Sequence, residues 1–203
     1  MSNSQLVDFT LLSPYCTKPR SSQIRKITIH HMAGDFSVET CGRIFQQTRA
    51  SANYGIGTDG RVGMYVEEEN CSWASANTDN DDQAVTIEVA NDQVGGQWHV
   101  SDKAFDKLIA LCVDICRRNG IRELNYTADP TGNLTMHKWF IATACPGPYL
   151  EGRFPDIARL VNQQLAEDQP VYRVQVGAFH SRQRAEAMLE ALKKAGFDGI
   201  IKA

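Results

Sequence analysis

The sequence predicts an α/β fold: a mixed central β-sheet flanked by helices, followed by a small C-terminal β-α-β unit. Three observations predict it. Short apolar runs bounded by turn residues intermix with amphipathic segments of helical length. One strand pair reads as a hairpin closed by Asp59-Gly60, so the sheet is not purely parallel. At Ala166-Glu167-Asp168-Gln169-Pro170 the chain turns polar, and a second strand–helix–strand pattern begins beyond it.

The elements follow in order. IRKITIHHMAG, from Ile24, alternates apolar Ile27 and Ile29 and ends at a histidine pair, the pattern of a strand. A helix is expected around Val38 to Gln47, then the hairpin ANYGIGTDGRVGMYV. AVTIEVAN is a nearly all-apolar run broken by Glu88, as in a buried central strand. From Ser101, the residues Phe105, Leu108, Ile109, Cys112, Ile115 and Cys116 recur at helical spacing, with Ser101 as cap and Gly120 as terminator. Pro130-Thr131-Gly132-Asn133 marks a loop, and a last helix is expected from Phe154 to Leu165. This divides the chain into a domain at 1–165, a linker at 166–170 and a segment at 171–203.

Composition excludes several classes of function. A net charge of -3 gives no electrostatic ground for binding nucleic acid, and no apolar run reaches membrane-spanning length. The start, MSNSQLVDFTLLSPYC, lacks a basic segment followed by a long apolar one, so synthesis in the cytoplasm without a signal peptide is expected. The six cysteines have no dense secreted-scaffold spacing and are expected as thiols, with Cys112 and Cys116 in the core.

The chemistry-bearing stretch is MHKWFIATACPGPY. His137 and Cys145 stand eight residues apart, and Pro-Gly-Pro after the cysteine cannot continue a helix or a central strand. The pair suits a cysteine nucleophile with its base, two metal ligands, or two unrelated residues. Adding a strand-end histidine gives three N/S ligands without a fourth, the open arrangement of a catalytic metal and not of a structural one.

From Ile24 to Leu165 the chain resembles the type-2 family of N-acetylmuramoyl-L-alanine amidases, related to phage T7 lysozyme and peptidoglycan-recognition proteins, and especially amidase endolysins of Firmicute phages. The resemblance rests on ITIHHMAG, RASANYGIGTDGRVGMYVEE, SWASAN, AVTIEVAN and MHKWFIATACPG, in the family's order. It implies zinc (Zn2+) held by His30, His137 and Cys145, with His30 chosen over His31. It implies hydrolysis of peptidoglycan at the amide between the lactyl group and L-alanine, with Glu88 as general base. It also implies Tyr54 beside the metal, and substrate contacts from Asn53 and Trp73. Two residues before the thiolate, Thr143 stands where lysozyme-like relatives carry lysine and recognition-protein amidases carry threonine. A threonine hydroxyl can donate to an oxyanion but brings no charge.

Two alternatives belong to other classes: a non-catalytic peptidoglycan-recognition module, and a cysteine amidase using Cys145 with His137. The tail, YRVQVGAF with AEAMLEALKKAGFDGIIK, resembles the first half of a SPOR domain, which implies binding to glycan strands. An open sheet edge there suggests pairing of two tails in a homodimer. Without a signal segment, access to the wall would come from a holin or from lysis.

Overall fold

The computed structural model describes residues 2–167 and 174–202. The chain forms two compact units, Met1–Asp168 and Gln169–Ala203.

The first unit contains β1 (Phe9–Thr10), β2 (Cys16–Thr17), β3 (Lys26–His31), α1 (Val38–Ile44), β4 (Tyr54–Ile56), β5 (Val62–Met64) and β6 (Cys71–Ser72). After these come α2 (Thr78–Gln83), β7 (Ala84–Val89), α3 (Asp102–Asn119), β8 (Leu134–Met136), a 3-10 turn (His137–Trp139) and α4 (Gly147–Glu167). The main sheet has the order β1-β5-β4-β7-β3-β8, and β2 pairs β6 in a small second layer. Parallel pairing joins β4, β7, β3 and β8, while β5 returns antiparallel to β4. The sheet is therefore mixed, as the hairpin predicts, and Gly60 in its turn has φ +84°.

Register gives the sheet two unlike faces. Ile27 pairs Val85 and Leu134, and Ile29 pairs Ile87 and Met136, so these side chains share one face. That apolar face meets α3 and α4 in the main core. Cys112 and Cys116 are fully buried within it, so the two thiols are packing residues. Ser101 accepts from the Ala104 N–H and Gly120 closes α3 in the left-handed region, as expected from sequence.

The opposite face carries Thr28, Thr86 and Thr135, which are fully buried. Their hydroxyls are satisfied within the layer: Thr28 with Thr135 at 2.9 Å, Thr86 with Ser72 at 2.7 Å. Asn80 of α2 donates to Thr28 at 2.9 Å. Buried hydroxyls without such partners would each cost about 1–3 kcal/mol, so this network makes a polar sheet face tolerable.

Two expectations need correction. The last helix begins at Gly147, not Phe154: Pro148 falls in its first turn, where its missing N–H has no partner to lose, and the helix carries Pro155 in its interior. In the second unit, α5 (Arg182–Lys194) forms, but no strand is present among the described residues 174–202. The start of the first expected strand, 171–173, lies outside the described residues; within 174–202 a strand would need a paired neighbour and a core. None of the described residues of that unit is buried. Residues 168–173, which include most of the expected linker, lie outside the described residues, while Ala166 and Glu167 belong to α4.

Candidate metal centre

The centre forms at the carboxyl ends of the parallel strands, where an open α/β sheet leaves room between its connections. Alternation on β3 turns His30 to the polar face, and the register sets it beside Glu88 of β7. Its Nδ1 is 3.9 Å from Glu88 Oε1. On the other side of β3, strand β8 ends at Met136 and delivers His137 into the 3-10 turn. The Lys138 N–H donates to the Cys145 carbonyl at 3.0 Å, which folds the ATACPG loop back onto that turn. Lys138 Nζ also bridges to Glu151 at 2.9 Å, tying the turn to α4.

These steps gather His30, His137 and Cys145, whose ligand atoms all lie within 4.8 Å of one another. A zinc ion bonds imidazole nitrogen and thiolate sulfur at about 2.0–2.3 Å, so one ion between the three can reach them all. His30 is 1% exposed, and its Nε2 has no partner in the protein; neither has Glu88 Oε2. Orphaned buried atoms gathered at one place need something to bind.

The electrostatics suit a cation. Burial holds the His30 imidazole well below its ordinary pKa, helped by His137 and His31, and burial lowers His137 too. Both rings are thus neutral at pH 7, with lone pairs to offer. Burial raises the Cys145 thiol, and Glu88 raises it further, against the backbone N–H of His31 that points at the sulfur. A thiolate there calls for a cation beside it. Burial also pushes the Glu88 carboxyl up to about 8, although its side chain keeps 17% exposure. The residues present therefore fit zinc.

The remaining sequence-derived residues divide. Thr143 is exposed, and its hydroxyl accepts the Cys145 N–H at 3.2 Å, so it sits beside Cys145. Tyr54 is not beside the triad. It pairs Ile87, so its ring enters the apolar face opposite His30, fully buried. Its hydroxyl donates to Glu68 at 2.7 Å and accepts the Ser4 N–H at 2.9 Å. The one-residue alternation of β4 puts Asn53 on the polar face instead. Asn53 is also fully buried, with its amide spent on the Thr86 N–H at 3.0 Å and the Val66 carbonyl at 3.2 Å. It supports the floor and is closed to substrate. Trp73 is 36% exposed in the β2–β6 layer, where it donates to Thr17 and lies against Tyr15.

Sequence reasoning missed Tyr65. It stands on the polar face opposite Asn53, fully buried, and donates to the Val38 carbonyl at 2.8 Å. A Cβ at Gly55, the neighbour of Glu88 in the register, would lie 2.7 Å from its ring. The available signal was the small residue repeated along the hairpin, Gly55 and Gly63, which leaves space for a ring lying across two strands.

Comparison with known proteins bears on this centre. The SPOR domain model matches residues 150–203, of which 150–167 are α4, packed into the core of the first unit. A search of curated proteins finds no match. Among solved structures, the amidase LysC from Clostridium intestinale is 18% identical, with a TM-score of 0.57 over 76% of this chain and 96% of that one. A mutant endolysin from Bacillus subtilis is 16% identical, with a TM-score of 0.58 over 76% of this chain and 99% of its own. AmpD, as a selenomethionine derivative, is 16% identical at 0.57 over 78% and 99%. These likenesses establish the shared fold. The N-acetylmuramoyl-L-alanine amidase model (Amidase_2) matches residues 20–148, which run from before β3 through β8 and include His30, His137 and Cys145, and the chain belongs to that family.

Proposed function

We propose that this amidase is zinc-dependent and cuts the amide between the muramoyl lactyl group and L-alanine of the peptidoglycan stem, as an endolysin or autolysin. The observation that carries this reading is the convergence of His30, His137 and Cys145 within 4.8 Å, with Glu88 3.9 Å from His30.

His30, His137 and Cys145 would hold the ion, and three protein ligands would leave one position open. Zinc, when bound there, supplies Lewis-acid polarisation of the scissile carbonyl and of the attacking water. Glu88 takes the proton from that water and returns it to the departing L-alanine nitrogen. Burial raises the Glu88 carboxyl in the metal-free protein, and a cation held beside it would draw it back down toward the range in which it can accept and return a proton. The Thr143 hydroxyl, exposed beside Cys145, donates to the developing oxyanion. Trp73 offers a half-exposed aromatic wall for the stem peptide, and the SPOR-like tail holds the glycan strand. The enzyme acts on the wall after release from the cell that makes it.

Two measurements on the purified full chain test the reading together. Mass spectrometry of metal content should find about one zinc per chain, in keeping with a single site of three protein ligands. Muropeptide analysis of digested walls should show new L-alanine amino termini and intact glycan. Alanine at His30, His137 or Cys145 should remove metal and hydrolysis together. An active, metal-free wild type would instead favour Cys145 as a nucleophile.

A further inference from the structure

Behind the triad, on the apolar face, lies a cluster that the proposed reaction does not use. His31, next in sequence to a ligand, is buried with its ring edge-on to Trp98 at 5.2 Å between centroids. Gly147, two residues beyond the sulfur ligand, closes the cluster. A Cβ on Gly147 would lie 3.1 Å from both His31 Nδ1 and Trp98 Cβ, and its φ of +83° favours glycine. The loop thus approaches His31 and Trp98 as closely as a residue without a side chain allows.

Trp98 is itself held in an unusual state. Its φ is +55°, a left-handed conformation disfavoured for a bulky side chain. Such a residue persists only where its surroundings fix it. Its N–H donates to Gly95 at 3.0 Å, and its carbonyl accepts from Asn91 Nδ2 at 2.7 Å. The same loop is stitched to α4 on either side: Tyr149 N–H donates to Gln97 at 3.0 Å, and the His99 and Tyr149 rings lie 4.5 Å apart. His99 is anchored in turn by Asp92 at 2.7 Å. Asn91 begins this loop three residues after Glu88. One segment, 91–99, therefore joins the strand bearing the candidate base to the loop bearing the sulfur ligand.

We propose that Trp98 is a positioning residue of the metal centre, wedging His31 against Gly147 and so fixing Cys145 relative to His30. This rests on the zinc reading above. The His31 backbone N–H already points at the Cys145 sulfur, so a shift of His31 moves both a ligand strand and a ligand contact. Outer groups that orient metal ligands commonly change metal affinity by about 10–100-fold when removed. The strained backbone and the ring make separable contributions, which three substitutions distinguish.

The experiment uses the full chain with Trp98→Ala, Trp98→Phe and Trp98→Gly. Zinc affinity is read by competition with a chromogenic chelator, and melting temperature is read on metal-free protein. Trp98→Gly relieves the left-handed strain and keeps the chain folded even where Trp98→Ala does not. The expected result is zinc held about tenfold or more weakly in the alanine and glycine variants. Phenylalanine should remain within about threefold of wild type, since an aromatic edge contact survives. Trp98→Gly should melt above Trp98→Ala yet bind zinc no better. Wild-type affinity in the alanine or glycine variant would overturn the proposal and leave the zinc reading standing. So would zinc affinities that merely track the melting temperatures. A wild-type protein without zinc would overturn both.

Discussion

Glu88 and Tyr54 show how much a single residue's setting decides. Glu88 lies on a central strand with one oxygen orphaned, and burial raises it to about 8 from an ordinary 4.5. Glu88→Gln should keep zinc while turnover falls about 10²–10⁴-fold, the usual contribution of a general base; activity within about twofold of wild type would make Glu88 structural. The same shift has a stability consequence in metal-free protein. A carboxyl whose folded pKa lies above its unfolded one holds its proton longer when folded. It therefore destabilises the fold increasingly as pH rises from about 4.5 to about 8, with no further loss above. Chelator-treated wild type should lose stability relative to Glu88→Gln across that window, as read by denaturant titration at several pH values. Tyr54 has the opposite fate. Tyr54→Phe should leave turnover near wild type and lower stability by about 1–3 kcal/mol, because Glu68 and the Ser4 N–H each lose a buried partner. A large loss of turnover with unchanged stability would return Tyr54 to the chemistry.

At the scale of elements, the fold is fastened by polar clamps as well as by its apolar core. Glu68 is fully buried in the segment after β5. It receives Arg118 of α3 through both oxygens, at 2.6 and 2.9 Å, together with Asn119 and Tyr54. Arg118 also donates to the Ser2 carbonyl, so one guanidinium ties α3, the hairpin and the N-terminal segment together. Removing one partner of a buried pair strands the other charge, which typically costs about 3–5 kcal/mol. Arg118→Met should destabilise the first unit by that order, read as a fall in the denaturation midpoint, while zinc stoichiometry in the folded protein stays unchanged. A loss under 1 kcal/mol, about the value of an exposed pair, would mean that water reaches Glu68. Arg20 plays a comparable part between layers, giving its guanidinium to the carbonyls of Glu68, Asn70, Asp81 and Asp82.

For the whole molecule, the two compact units imply a division of labour. All three triad residues and Glu88 lie in the first unit, and the second has α5 with Val174, Phe197 and Ile200 exposed. Deleting residues after Pro170 should leave hydrolysis of a small soluble muropeptide nearly unchanged and weaken sedimentation with intact walls. If the deletion abolished hydrolysis of the soluble substrate, the tail would have to be counted part of the catalytic unit. The exposed apolar residues of the tail suit a partner surface, and pairing with a second copy is the expectation to test by light scattering on both forms.

Much was legible in the sequence because it depends on local chemistry. Caps at Ser101 and Gly120 bound α3, Asp59-Gly60 closes the hairpin, and helical spacing assigned Cys112 and Cys116 to the core. A strand-end histidine with His137 and Cys145 was also legible as residue types able to share a metal, while the choice of His30 over His31 came from the family resemblance. What sequence could not supply was register and long-range contact. Shifting a strand by one residue exchanges its faces, and that separates Asn53 and Gly55, on the polar face, from Tyr54, in the core. The Trp98 wedge joins segments almost fifty residues apart or more, from β3, the loop after β7 and the start of α4, with no signature in any of them alone. In the tail, the strand pattern is present in the sequence, but strands form only where a neighbouring strand and a core complete them.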